Sequence, residues 1–142
     1  MKKHMNYFKH IFALLVLPFF FTACILEDQE PEYDVVGAVG TIATLTASST
    51  TPEVGGTVTF TMTVYSEHEP ATELRMNRVQ GGTTTTLETR NFANWNTQDS
   101  YVETFQWTVP ENARGTAVTM QFVLVTQSNF TRSRNITINV RP

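Results

Sequence analysis

The chain has one cysteine in 142 residues, Cys24, so it can form neither an internal disulfide nor a thiolate-based metal site. Its three lysines, Lys2, Lys3 and Lys9, all fall within the first nine residues. Of ten cations, the seven beyond that stretch are arginines, and they face thirteen acids, a net charge of −6 for everything after it. No basic cluster is visible, which excludes a nucleic-acid partner. Histidine is nearly as scarce. His4 and His10 lie in the same leading stretch and leave His68 alone. Without a second histidine, a free thiol or a lysine, triad and Schiff-base chemistry lack their parts. Two carboxylates could hydrolyse a glycoside, but no acid sits in a signature context, so no catalytic residue is assigned and the chain reads as a non-enzyme. Helical spacing is missing as well, since no stretch keeps a 3.6-residue apolar period for three turns.

The amino terminus is the most legible part. Lys2, Lys3 and Lys9 supply a positive start, Ile11 through Phe21 an apolar centre, and Thr22-Ala23 a small-residue exit, the three parts of an export signal. The apolar run falls short of the roughly 20 residues that a membrane-spanning helix needs. Ordinary signal cleavage wants small residues at both −3 and −1, and Phe21 at −3 suits it poorly. The segment Phe21-Thr22-Ala23-Cys24 instead resembles a lipobox, with Phe where Leu is commonest. That resemblance implies a diacylglycerol thioether on Cys24 and an acyl chain, such as palmitate, on the new amino terminus. Each buried methylene contributes about 0.8 kcal/mol, so two or three chains hold a protein to a membrane lastingly.

Residues 24–40 read as a tether. They are acidic (Glu27, Asp28, Glu30, Glu32, Asp34), interrupted by Pro31, and end in Gly37-Ala38-Val39-Gly40. Too little apolar surface is present to fold; fully extended, the stretch reaches roughly 50 Å. Glu27-Asp28-Gln29-Glu30 is similar to the acidic cluster that directs Bacteroidota lipoproteins to the cell surface. It implies an outer-membrane protein facing outward rather than into the periplasm.

Residues 41–142 alternate with period two. Val58, Phe60, Met62 and Val64 share one face with threonines between them, a pattern that suits a pleated, half-solvated surface. Tyr101, Glu103, Phe105, Trp107 and Val109 form a second face, broken only by Glu103. Val118, Met120, Phe122 and Leu124 form a third, followed by Ile136, Ile138 and Val140. Gly, Pro and Asn punctuate the runs, and Gly81-Gly82 marks a hairpin. The spacing predicts seven strands, at 41–47, 57–66, 72–80, 83–90, 100–109, 116–126 and 131–140. That count fits an all-β, seven-strand immunoglobulin-like sandwich, with a small barrel as the alternative. Thr108 through Leu124 resembles a strand–turn–strand of immunoglobulin-like or PKD-like domains in Bacteroidota surface lipoproteins. The Cys pair of antibody-type domains and the Trp-Asp-Phe-Gly-Asp-Gly signature of PKD domains are absent.

For recognition, the loop around Trp95 is the best candidate. Asn94, Trp95 and Asn96, with Phe130 on the last turn, could stack on a sugar and hydrogen-bond its hydroxyls, or Trp95 could plug the open end of the sandwich. Glu67-His68-Glu69 carries ligand-type groups, but on a strand or turn the outer two point away from the middle one, and no metal or other cofactor is expected. Asn129-Phe130-Thr131 and Asn135-Ile136-Thr137 match a glycosylation triplet, a coincidence in so threonine-rich a chain. In such a sandwich the loops after strands two, four and six gather where strand one begins. The reading is therefore a lipid-anchored envelope module that binds a glycan or a partner protein; the alternative is a spacer that assembles through an exposed strand edge.

Overall fold

A computed structural model describes residues 40–142; the expected signal, the expected attachment point Cys24 and the expected tether up to residue 39 lie outside the described residues. Seven strands follow in order: β1 (Thr41–Ala47), β2 (Thr57–Tyr65), β3 (Ala71–Gln80), β4 (Thr83–Asn91), β5 (Ser100–Thr108), β6 (Ala117–Thr126) and β7 (Thr131–Asn139). They form two antiparallel sheets, β1-β2-β5 and β4-β3-β6-β7. This is a seven-strand sandwich, not a closed barrel. The expected strand ends hold to within a residue.

The placement of β4 follows from its turn. Gly81 and Gly82 have φ of 57° and 79°, and two successive left-handed residues make the two-residue hairpin whose twist matches paired strands. β4 must then lie beside β3, and the sheets divide three and four. In the constant-type immunoglobulin arrangement the fourth strand joins the other sheet.

The core is the inward half of each alternation. Val58, Phe60, Met62 and Val64 of β2 are fully buried, as are Val118, Met120, Phe122 and Leu124 of β6. Phe122 lies 5.2 Å from the Phe60 ring and 5.7 Å from the Phe105 ring, so one side chain of the larger sheet meets two strands of the smaller. The outward half of the smaller sheet is nearly all hydroxyl: Thr57, Thr59, Thr61 and Thr63 on β2, facing Thr108, Gln106, Thr104 and Val102 on β5. Threonine suits this surface because its branched carbon packs on the pleat while its hydroxyl stays wet.

Glu103 breaks the inward face of β5 for a reason. Its carboxylate pairs with the Arg90 guanidinium at 2.5 Å, and that guanidinium lies 4.3 Å over the Phe105 ring. Burial works against the Arg90 charge, but the hydrogen bonds and charges of Glu103 and Glu88 outweigh it and hold its pKa above the ordinary value. Arg90 also donates to the Thr104 carbonyl at 2.7 Å, bridging from β4 to the edge of β5. On the opposite side of the sandwich, Arg134 of β7 reaches the Ile42 carbonyl of β1 at 3.0 Å and also the Ala43 carbonyl. Two of the four edge strands, β1 and β4, carry bulges. Ala43 is the extra residue in β1. Leu87 is the extra residue in β4, where Met76 pairs with Glu88 and Asn77 with Thr86. Inward-turned charges and bulges are how natural sheets keep their edges from pairing with other chains.

Candidate functional site

The loops after β2, β4 and β6 do gather where β1 begins. Thr41 pairs with Tyr65 at the end of β2. The Gln127 amide donates to the Pro70 carbonyl at 3.0 Å, and the Ser128 hydroxyl to Glu69 Oε2 at 2.7 Å. The Trp95 indole N–H points to the Ser66 carbonyl at 3.4 Å.

Trp95 is half-buried and packs against the hydrophobic core. Its ring meets Phe92 edge-on at 4.9 Å and Tyr101 at 4.4 Å, which makes a three-ring pillar under the β4–β5 loop. Asn96 is built into the same frame. Its side-chain amide donates to Asp99 at 2.7 Å, its side-chain carbonyl accepts from the Gln98 amide at 3.1 Å, and its backbone N–H donates to the Tyr101 hydroxyl at 2.9 Å. Asn94 is exposed. Phe130 is 42% exposed, and its carbonyl accepts from the Thr126 amide at 2.9 Å to close the last turn. The geometry of Trp95 and Asn96 is that of loop supports. Trp95→Ala is expected to cost about 2 kcal/mol, less than the 3–5 typical of a fully buried aromatic. It should also speed amide exchange across residues 96–99. An unchanged melting temperature would argue against the pillar.

What those supports hold up is a groove. One cleft of about 210 Å³ is lined by Thr41, Tyr65, Ser66, Glu67 and His68. A second, of about 200 Å³, is lined by Tyr65, Glu67, Thr97, Gln98, Asp99 and Ser100. Tyr65 lies between them, because Thr41 and Ser100 are its partners on the two neighbouring strands. The side chains of Glu67, His68, Thr97, Gln98 and Ser100 have no hydrogen-bond partner among the described residues and are open to a ligand. The residues can present hydroxyl, amide, imidazole and carboxylate groups around an aromatic ring. They do not assemble a metal site: among the described residues no three His, Cys, Asp or Glu side chains come together to hold an ion.

A larger cleft, about 450 Å³, lies at the opposite end, lined by Glu53, Val54, Arg114, Arg141 and Pro142. Its cations are already engaged. Arg141 pairs with Glu53 at 3.1 Å and Arg114 with Glu111 at 2.8 Å, and the latter bond holds the Glu111 carboxyl below its usual range. The smaller pair of clefts is the better candidate because its polar groups are unspent. Tyr65 was open to discovery in the sequence. The outward series Thr57, Thr59, Thr61, Thr63 ends in an aromatic at the position where a fifth threonine is due.

No family model and no curated protein matches the chain. Solved structures do resemble it. The sporulation control protein Spo0M from Bacillus subtilis aligns with a TM-score of 0.52 at 14% identity, over 75% of this chain and 51% of that one. A Niemann-Pick type C2 protein from the Japanese carpenter ant aligns with a TM-score of 0.54 at 5% identity, over 77% of this chain and 97% of that one. The chain thus spans about half the length of Spo0M. At these identities the likeness is one of fold, that of an immunoglobulin-like sandwich.

Proposed function

We propose that this chain is a non-catalytic, lipid-anchored protein of the bacterial cell envelope, held on the outer membrane through Cys24 and facing the cell surface. Its sandwich domain serves as a binding module for a glycan or a partner protein. The observation that carries the binding role is the groove over Tyr65, where unpaired polar side chains converge on an aromatic at the end of the domain. The lipobox-like Phe21-Thr22-Ala23-Cys24 and the acidic residues after it support the address. The spacer alternative needs a strand edge able to pair with another chain. The bulges at Ala43 and Leu87 and the inward-turned Arg90 and Arg134 weigh against it.

Two measurements test this. Cys24→Ala is expected to abolish lipidation, so the protein accumulates as unprocessed precursor or leaves the detergent phase. A variant still anchored and normally processed would refute the anchor. The detergent-solubilised full chain, immobilised and offered a glycan array and a cross-linked envelope extract, is expected to retain a specific glycan or protein. Retention of neither would favour the spacer.

A further inference from the structure

We infer that the groove over Tyr65 is a subsite for an uncharged oligosaccharide, with the Tyr65 ring as its stacking surface; the inference rests on the binding-module reading above. Strand alternation directs Tyr65 outward, since Met62 and Val64 on the same strand are fully buried. Thr41, Tyr65 and Ser100 form one row across three strands. Neighbouring strands lie about 4.8 Å apart, so the row spans roughly 10 Å, with a cleft on either side of the ring. A sugar chain laid along the row would cover the ring with the apolar face of one unit and place the next unit in a cleft.

The hydrogen-bonding groups fit hydroxyls. Asp99 and Glu67 are acceptors, Gln98 both donates and accepts, and the Thr97 and Ser100 hydroxyls do the same. The charge fits a neutral chain. Glu67 and Asp99 both border the groove, while no arginine lines either cleft and lysine does not occur beyond residue 9. Uronate, sulfate or phosphate groups would meet carboxylates with no arginine or lysine to offset them. The wall is also fixed before a ligand arrives. Asn96 holds Asp99, Tyr101 holds the Asn96 amide, and Trp95 packs on Tyr101. A preorganised wall loses less freedom on binding. The aromatic that stacks on sugar is then Tyr65, and Trp95 keeps the loop in position.

The test is titration calorimetry on the detergent-solubilised full chain with maltotetraose, cellotetraose, laminaritetraose and mannotetraose. Tetragalacturonate serves as the anionic probe and fully deacetylated chitotetraose as the cationic one. At least one neutral tetrasaccharide should bind, and tetragalacturonate should not. Tyr65→Ala should weaken the neutral ligand by about tenfold, the scale of one aromatic contact. Tyr65→Phe should keep affinity within about threefold, and Val102→Ala, two residues along the same face of β5, should leave it unchanged. Circular dichroism melts of each variant confirm that the fold is retained. Neutral binding that survives Tyr65→Ala in a folded protein would overturn the stacking role. Tighter binding of tetragalacturonate or deacetylated chitotetraose than of any neutral chain would overturn the choice of ligand. If an envelope protein is retained but no sugar binds, this inference falls and the binding module stands. If neither is retained, both fall.

Discussion

Phe122→Ala is expected to destabilise the domain by about 3–5 kcal/mol, the range for a fully buried phenylalanine cut to alanine. The Phe122 side chain has no exposed surface and touches the rings of both Phe60 and Phe105. Its loss therefore removes its own buried area and leaves a hole where the two sheets meet. A sandwich cannot easily collapse around such a hole, because each sheet is held by its own backbone ladder. Domains of this size are stable by about 5–15 kcal/mol in all, so the variant loses a large share of its margin. Urea denaturation followed by circular dichroism reads the loss directly. Phe122→Leu, which keeps most of the volume, should cost well under half as much. A loss below about 1 kcal/mol for the alanine variant would contradict this account of the core.

Arg90→Ala is expected to cost about 2 kcal/mol, since breaking a hydrogen-bonded charge pair strands the remaining partner. The stranded group is Glu103, whose side chain is 17% exposed on a strand face otherwise given to the core. The Thr104 carbonyl loses its donor as well, and the Phe105 ring loses its cation. Arg90 itself is about a third exposed, so solvent screening keeps the figure below that of a deeply buried pair. Arg90→Lys should recover only part of the loss, because an ammonium cannot reach Glu103, Glu88 and the Thr104 carbonyl with one planar fork. Arg90→Ala combined with Glu103→Gln should be more stable than Arg90→Ala alone, since the buried charge is then gone. Chemical denaturation of the wild type, Arg90→Ala, Arg90→Lys, Glu103→Gln and the double variant checks the order. An additive double variant would mean that the two residues do not act as a pair.

The strands were readable because their signal is local. Val58-Thr59-Phe60-Thr61-Met62-Thr63-Val64 states its own two faces, and Gly81-Gly82 states its own turn. β4 was readable as a strand but not as a neighbour. Thr83-Thr84-Thr85-Thr86-Leu87 has no apolar face, all five residues are exposed, and its partner is chosen by the hairpin before it. Glu103 looked like a flaw in an apolar face because its answer, Arg90, lies thirteen residues earlier and on the other sheet. The candidate site was half visible. The sequence singled out the β4–β5 loop, and that loop does wall the groove. Whether Trp95 plugs or stacks turns on Phe92, Tyr101 and the Ser66 carbonyl, contacts that only tertiary packing brings together. Tyr65 is marked in the sequence only as the aromatic that ends an outward threonine series, and its setting depends on Thr41 and Ser100 flanking it from other strands.

The two arginines that close the sandwich sides have a property that a lysine or histidine there would lack. A guanidinium keeps its proton throughout the ordinary range of pH. The ion pairs with Glu88 and Glu103 are only part of the hold on Arg90. The bonds from Arg90 to the Thr104 carbonyl and from Arg134 to the Ile42 and Ala43 carbonyls need no ionised partner. These edge guards therefore stay fastened in an acidified medium and in an alkaline one, and the domain can lose its carboxylate charges without baring a strand to its neighbours.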